Sequence, residues 1–310
     1  MSTSVIVTGG GGFIGSHVAD ALLARGHDVT VIDDLSAGSA AKVPAGATLV
    51  EIDIVDRPAL QRVFDQAQPA AVYHLAAQAS VTASVADPLR DCAVNVQGTL
   101  NVVDLATKLG APVSFTSTGG ALYGDDVPMP TGEDQIPAPL APYGASKLAG
   151  EAYVKTWSLS SGVPHAVCRL GNVYGPRQSP HGEAGVVAIF SEHLHGGRAP
   201  KMFGHGAPTR DYIYVGDVVS ALIAANGKQG TFNIATGVET DVATLWRVLR
   251  DEAGVEIEPE LLDLRAGELK RSWLDPSRAE RELGWKAAVS IDEGLRRTYA
   301  ALVDEFVAAG

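Results

Sequence analysis

The run VIVTGGGGFIGSH at positions 5–17 limits the folds open to this chain more than any other feature. A β-branched stretch ends in four consecutive glycines and passes at once into helical apolar spacing at Ile14, Val18, Ala21 and Leu22, with Gly26 placed as a helix C-terminal cap. Gly10, Gly12 and Gly15 satisfy the dinucleotide spacing, and Gly9, Gly12 and Gly15 a second version of it. The chemistry explains the glycines: a tight turn must leave the strand, the backbone must approach a pyrophosphate without a Cβ in the way, and the helix N-terminus must offer its free N–H groups to that anion. Asp33 closes the next β-branched run about 20 residues further on, where a carboxylate accepts from a ribose hydroxyl. Asp33 and Asp34 together repel a 2′-phosphate, so NAD is expected over NADP.

Five such runs alternate with helical patterns: Val5–Thr8, Val29–Ile32, Thr48–Ile52, Ala71–Leu75 and Val113–Ser117. That alternation predicts an α/β fold, a Rossmann-type doubly wound parallel sheet. After about Leu170 the pattern becomes irregular, with GPRQSP and GHGAP clusters, and helices follow at Asp241–Ala253 and Ile291–Val307. The expected organisation is a nucleotide-binding domain over 1–171, with 205–235 returning to it, and a smaller α/β substrate lobe from 172–204 and 236–310.

With 310 residues, 46% hydrophobic and 19% charged, the chain has the composition of an ordinary globular protein. No apolar run approaches the ~20 residues needed to span a bilayer, and the short apolar stretch after MSTS does not read as a signal segment, so a cytoplasmic location is expected. A net charge of −12 argues against a sequence-independent grip on nucleic acid. Cys92 and Cys168 sit in apolar stretches and are expected to be buried thiols, while His193 and His195, two apart on a helix, point in different directions; no metal site is expected.

Tyr143 and Lys147 in APYGASKLAGEAY are four apart and share a helix face, with Thr116, Ser117 and Thr118 at the end of the fifth strand. For a tyrosine to act as a base near neutrality its phenolate must be stabilised by about three pH units, or roughly 4 kcal/mol. A neighbouring ammonium and a positively charged nicotinamide are groups that supply this.

The motifs TGGGGFIGSH, Asp53-Ile54, HLAAQASV, NVQGTLN, YGASK, NVYGPRQ, TRDYIYVGD and the RAGELKRSWLD stretch beginning at Arg265 run in order over nearly the whole chain. By them the chain resembles the extended short-chain dehydrogenases/reductases, most closely the UDP-glucose 4-epimerase family. The resemblance implies a cofactor site of Gly9, Gly12, Phe13, Ile14, Gly15, Asp33, Asp34, Asp53, Ile54, Leu75, Ala76, Ala77, Gln78, Asn95, Tyr143 and Lys147. It implies a UDP-sugar site of Ser117, Thr118, Gly119, Asn172, Val187, Lys201, Phe203, Arg210, Arg265, Glu268 and Ser272. Within it, Arg210 and Arg265 would read the diphosphate, Phe203 the uracil region and Glu268 the ribose. Two planar guanidinium groups suit a diphosphate on physical grounds as well, although Arg210 could instead pair with Asp211 or Asp217.

The implied reaction takes the O4 proton onto Tyr143 as hydride leaves C4 for the nicotinamide, turns the 4-keto sugar, and returns both from the other face. The family's Ser or Thr near the end of the fifth strand falls on Gly119 by counting back from Tyr123, so either Thr118 or Ser117 takes that role through a one-residue shift or the role is vacant; Thr118 is favoured. Ser272 replaces a bulky wall and implies room for N-acetylated sugars. The resemblance also implies a homodimer through helices at Asp87–Leu109 and Tyr143–Ser160. The rivals are a UDP-glucuronate 4-epimerase, for which Arg177 and His181 are possible cations, a 4,6-dehydratase or decarboxylase, disfavoured by Gly119 and Gly120, and a non-catalytic NAD-binding protein, which would be expected to lose Tyr143 or Lys147.

Overall fold

The computed structural model describes residues 3–124, 126–181, 185–265 and 268–309; Ala266 and Gly267 of the Arg265 stretch lie outside the described residues. The first half runs β1 (Ser4–Thr8), α1 (Phe13–Ala24), β2 (Asp28–Asp33), β3 (Thr48–Glu51), α2 (Arg57–Ala67), β4 (Ala71–His74), α3 (Val81–Ala86), α4 (Pro88–Cys92), a π-helical turn (Ala93–Gly98), α5 (Thr99–Lys108), β5 (Val113–Thr118), α6 (Pro142–Ser161) and β6 (Ala166–Leu170). The second half runs β7 (Asn172–Tyr174), α7 (Val186–His195), β8 (Lys201–Phe203), β9 (Thr209–Arg210), β10 (Tyr212–Tyr214), α8 (Val215–Ala225), β11 (Gly230–Ile234), β12 (Thr240–Asp241), α9 (Val242–Ala253), β13 (Glu260–Leu262), β14 (Arg271–Ser272), α10 (Ser277–Leu283) and α11 (Ile291–Ala309).

Seven parallel strands form one sheet in the order β11-β6-β5-β4-β1-β2-β3. Its strands read as near-continuous β-branched runs because both faces are covered, as a parallel sheet requires. Along β1, Val5 and Val7 join the cluster on one face, with Val18 and Leu22 of α1 and Val218 and Leu222 of α8. Ile6 joins the other, with Leu60 and Phe64 of α2, Val102 and Val103 of α5, and Val154 of α6. Each such buried aliphatic side chain contributes about 1.5–3 kcal/mol. The strand order reverses between β1, which pairs β2, and β4, which pairs β5, so a crevice opens at the C-terminal ends of β1 and β4.

Helix termini follow their local chemistry. Asp56 caps α2 by accepting from Ala59 N, Asp241 caps α9 by accepting from Thr244 N at 2.6 Å, and Gly162 ends α6 in the left-handed region. The helical backbone angles continue through the π turn, so residues 88–108 run as one rod.

The second lobe is built on short pairings, β7 with β10, β8 with β13, and β12-β9-β14, around a cluster that includes Phe190, Met202, Trp246, Leu249 and Leu295. Two segments lie elsewhere than the sequence suggested. Residues 209–214 pair within these small sheets, so the return to the large sheet starts with α8 rather than at 205. Ala279 and Trp285 pack on the face covered by α8, and the Trp285 ring N–H donates to Ser220 Oγ at 2.8 Å. Among the described residues no helix is long and apolar enough to cross a membrane.

Candidate active site

The glycine loop leaves β1 with Gly9 at φ +73°, its N–H donating to Ile32 O at 2.7 Å, and packs so closely that a Cβ on Gly15 would stand 2.1 Å from Gly9 O. Gly12 begins α1 without a side-chain cap, and the first turn carries no acidic residue. Its N–H donors therefore face the crevice with no side-chain acceptor of their own, which is the arrangement an anionic pyrophosphate completes. Phe13 and Ile14 open α1, Phe13 edge-on to His17 and Ile14 against the sheet cluster.

Asp33, 8% exposed, ends β2 and accepts from Gly11 N at 2.8 Å through Oδ2 and from Leu35 N at 2.9 Å through Oδ1. Each oxygen keeps a lone pair for a ribose hydroxyl. Asp34 and Asp53 are bridged by Arg90 of α4, at 3.3 and 2.9 Å, and Ile54 is buried against Gly98. After β4, Leu75 N and Ala76 N donate to Thr8 O and Oγ1, which pins the loop Leu75, Ala76, Ala77, Gln78 alongside the glycine turn. These groups fit a dinucleotide along its whole length.

At the far end of the crevice lie Tyr143 and Lys147, one turn apart on α6. Tyr143 N donates to Ser84 Oγ at 3.1 Å and its carbonyl accepts from Ser146 Oγ at 3.0 Å. The Thr118 side chain faces the Tyr143 phenol. Successive side chains of a strand face opposite ways, so Ser117, 4% exposed, turns to the Glu151 side and cannot share that role. Gly119 cannot carry a hydroxyl either, because a Cβ there would stand 2.3 Å from Leu274 Cδ1. Of the three positions at the strand end, Thr118 alone presents a hydroxyl to Tyr143.

Burial pushes the Tyr143 phenol up to about 12, with the Asp91 carboxylate adding to it and the Thr118 side chain opposing it. Stabilising the phenolate at neutrality then requires about five pH units, roughly 7 kcal/mol. That demand exceeds the three units read from the sequence, which took no account of burial. Lys147, 3% exposed, has its ammonium 4.6 Å from the Phe115 ring centroid; burial lowers it to about 8, against Glu151 and Asp91, which hold it up. Behind the pair, Arg169 grips Glu151 at 2.9 and 2.7 Å and donates to the Tyr123 hydroxyl at 2.6 Å. His74, driven down to about 3 by burial and then by Lys147, stays neutral between Thr8 Oγ1 and Thr99 Oγ1.

Across the crevice, the exposed Asn172 carries its side-chain oxygen 3.7 Å from where a Gly120 Cβ would stand, beside the strand-five end. Arg210 makes no ion pair among the described residues; its guanidinium donates to Thr209 O at 2.8 Å, while Asp211 is taken up by Thr236 and Gly237 and Asp217 by Val289 N. The pairing with Asp211 or Asp217 considered from the sequence is thus absent. Arg265 lies over the Phe203 ring, its Cζ 3.7 Å from the ring centroid. Glu268 Oε2 is buried and has no hydrogen-bond partner among the described residues. Ser272 stands opposite Arg210 in the β9–β14 register, and Lys201 is exposed on β8. The Val187 side chain, 1% exposed, belongs to the lobe's core, which leaves only its backbone for a ligand. A cavity of about 680 Å³ lies beside Glu268, Arg271, Trp273, Val127 and Met129.

Sequence reasoning missed Arg90, Asp91, Ser84 and Leu274, all brought in by chain-distant packing. Only Asp91 left a trace, four residues before Asn95 on one helix. The apolar surroundings of Cys92 were misleading as well: it is exposed, because its neighbours Asp91 and Val94 take the buried face, whereas Cys168 is buried in β6.

A family model described as the NAD dependent epimerase/dehydratase family matches residues 5–235. The UDP-glucose 4-epimerase of Mycolicibacterium smegmatis is 44% identical over 302 residues, covering 94% of this chain and 96% of that protein. The crystal structure of a UDP-glucose 4-epimerase with UDP-glucose from Thermotoga maritima superposes with a TM-score of 0.94 at 42% identity, over 97% of this chain and 99% of the other. That of a Thermus thermophilus UDP-glucose 4-epimerase in complex with NAD gives 0.89 at 40% identity, over 96% and 98%.

Proposed function

The chain belongs to the NAD-dependent epimerase/dehydratase family, and from that premise we propose that it is a UDP-hexose 4-epimerase of the extended short-chain dehydrogenase/reductase type, interconverting UDP-glucose and UDP-galactose. The observation that carries the reading is Tyr143 standing one helical turn from the buried Lys147 on α6, with the Thr118 side chain facing it. Bound NAD supplies the hydride acceptor, and later the hydride donor, at C4 of the sugar. Tyr143 takes the O4 proton and gives it back, Thr118 orients O4 through its hydroxyl, and Lys147 supplies the positive charge that favours the phenolate. A 4-keto sugar turns between the two transfers. The chain must therefore hold the nucleotide firmly and the hexose loosely, a division that suits charged readers in one lobe and few around the sugar.

In this reading residues 1–171, with the later return to the large sheet, bind NAD, and the remaining segments bind the UDP-sugar. Arg210 and Arg265 clamp the diphosphate, Phe203 and Glu268 the uridine, and Asn172 the diphosphate end of the sugar. Ser272 leaves room for a C2 acetamido group, so N-acetylated hexoses are accepted too. The exposed Val85, Leu89 and Leu159 on α3, α4 and α6 favour a homodimer through these helices, and the enzyme works in the cytoplasm.

A glucuronate substrate is less well supported. It needs a free cation near C6, whereas Arg177 is spent on Asp20 at 2.6 Å. Elimination or decarboxylation lacks a carboxylate at the strand-five end, where Gly119 and Gly120 stand. A non-catalytic role leaves the retained Tyr143 and Lys147 without a purpose. The deciding experiment incubates the purified protein with UDP-glucose and follows products by chromatography and nicotinamide absorbance. UDP-galactose formed without net cofactor reduction is expected; a stable keto product, or turnover of UDP-glucuronate alone, overturns the proposal.

A further inference from the structure

Asp91 is 1% exposed, yet no cation is hydrogen-bonded to it among the described residues. Its Oδ1 accepts from Gln78 Nε2 at 2.9 Å and Asn95 Nδ2 at 3.1 Å. Asn95 sits in the π turn that directly follows α4, a widening often found at functional sites. Its amide nitrogen also donates to Ser146 Oγ at 3.0 Å, and Ser146 Oγ donates to the Tyr143 carbonyl. In return Gln78 N donates to Asn95 Oδ1, so one carboxylate ties the loop after β4 to the helix that carries Tyr143.

A carboxylate buried among neutral donors is costly unless a positive charge lies within reach. The charged groups around it decide which cation that is. On α6, Glu151 is already neutralised by Arg169 and Lys155. On β4, His74 is neutral, and on β5 Thr118 carries no charge. Lys147 remains. We propose that Asp91 is a positioning residue for the reaction: its carboxylate keeps Lys147 as an ammonium and fixes the Gln78 and Asn95 amides behind Tyr143. This rests on the epimerase reading for its consequence in turnover, though not for its electrostatics.

The sign of the effect is distinctive. Asp91 opposes the burial-driven fall of Lys147 and adds to the rise of Tyr143, so removing its charge lowers both groups. Turnover needs Tyr143 ionised and Lys147 charged; both limbs of the pH profile should therefore move to lower pH, whereas damage to packing alone lowers the profile without moving it.

The test uses the full-length, NAD-loaded protein. The phenolate of Tyr143 is titrated by ultraviolet difference absorbance against the Tyr143→Phe variant, beside the pH dependence of kcat/KM with UDP-glucose. In Asp91→Asn, which keeps the side-chain shape, the phenolate titration should fall by roughly one pH unit and both limbs should follow. Asp91→Ser should give the same displacement, and Asp91→Glu should leave the limbs where the wild type has them. Unmoved titration and limbs in either neutral variant, with only a lower maximum, overturn the proposal. Should the wild-type protein not turn over UDP-glucose, the epimerase reading is what fails, and the phenolate titration still decides the role of Asp91.

Discussion

The two sides of the crevice treat their polar groups in opposite ways. On the large-sheet side the Asp33 carboxylate holds two backbone amides, Asn95 and Gln78 hold each other, and His74 has a hydroxyl on each nitrogen. On the other side, among the described residues, Arg210 has only a neighbouring carbonyl, Arg265 rests on an aromatic face, and a buried oxygen of Glu268 has no partner. A side that keeps a resident cofactor through every cycle benefits from groups fixed in advance. In the proposed function the other side captures and releases a substrate each turn, and its unspent charges are what a diphosphate would recruit.

The most severe way to break the comparison is at the fixed side. Tyr143→Phe should lower kcat by about 100-fold or more while the protein still purifies with NAD at wild-type occupancy. Near-wild-type turnover in a steady-state assay would remove Tyr143 from the chemistry. Next comes the recruitable side: Arg210→Ala should cost about 10- to 100-fold in kcat/KM, expressed mainly in KM, because it removes a charge-assisted contact present in ground and transition states alike. A loss confined to kcat, measured with UDP-glucose over a range of concentrations, would place Arg210 among the fixed groups. A smaller effect sharpens the boundary at the strand end. Thr118→Val should lower kcat by about 10-fold, the scale of one hydrogen bond, and Ser117→Ala by far less. Equal losses would mean that neither hydroxyl touches the sugar. The mildest change for the neutral hexose is Ser272→Tyr, expected to leave UDP-glucose turnover within about threefold while suppressing UDP-N-acetylglucosamine selectively. Parallel loss of both, read from a paired substrate assay, would mean that Ser272 does not wall the sugar.

The fold was legible where the physics is local and repetitive. All five strands read from apolar runs lie within a residue or so of β1 to β5, and Gly26 follows the first helix at φ +81°. The helix read at Asp241–Ala253 runs over Val242–Ala253, with Asp241 as its cap. The small sheets of the second lobe were not legible, since pairings of two or three residues such as β9 with β14 have no period to detect. In the candidate site the glycine loop, Asp33 and the Tyr143–Lys147 spacing were visible because each is a short motif with a stated chemistry. Arg90 was not, since Asp34 and Asp53 lie far along the chain, and Asp91 left only its spacing of four to Asn95. The high phenol value of Tyr143 was hidden for a similar reason, since burial is a property of the assembled core rather than of the helix that bears the residue.

The contact between Gly119 and Leu274 constrains how this protein could change. A serine or threonine introduced at 119 meets Leu274 Cδ1 head-on, and overpacking of that kind costs about 1–3 kcal/mol. A smaller residue at 274 removes the obstacle but opens a hole beside Leu122 and Tyr123, its partners in a small buried cluster. Neither step is neutral alone, and only the pair restores the packing. If Thr118 faces the sugar as proposed, packing rather than chemistry confines the hydroxyl to 118, because Leu274 closes the adjoining position.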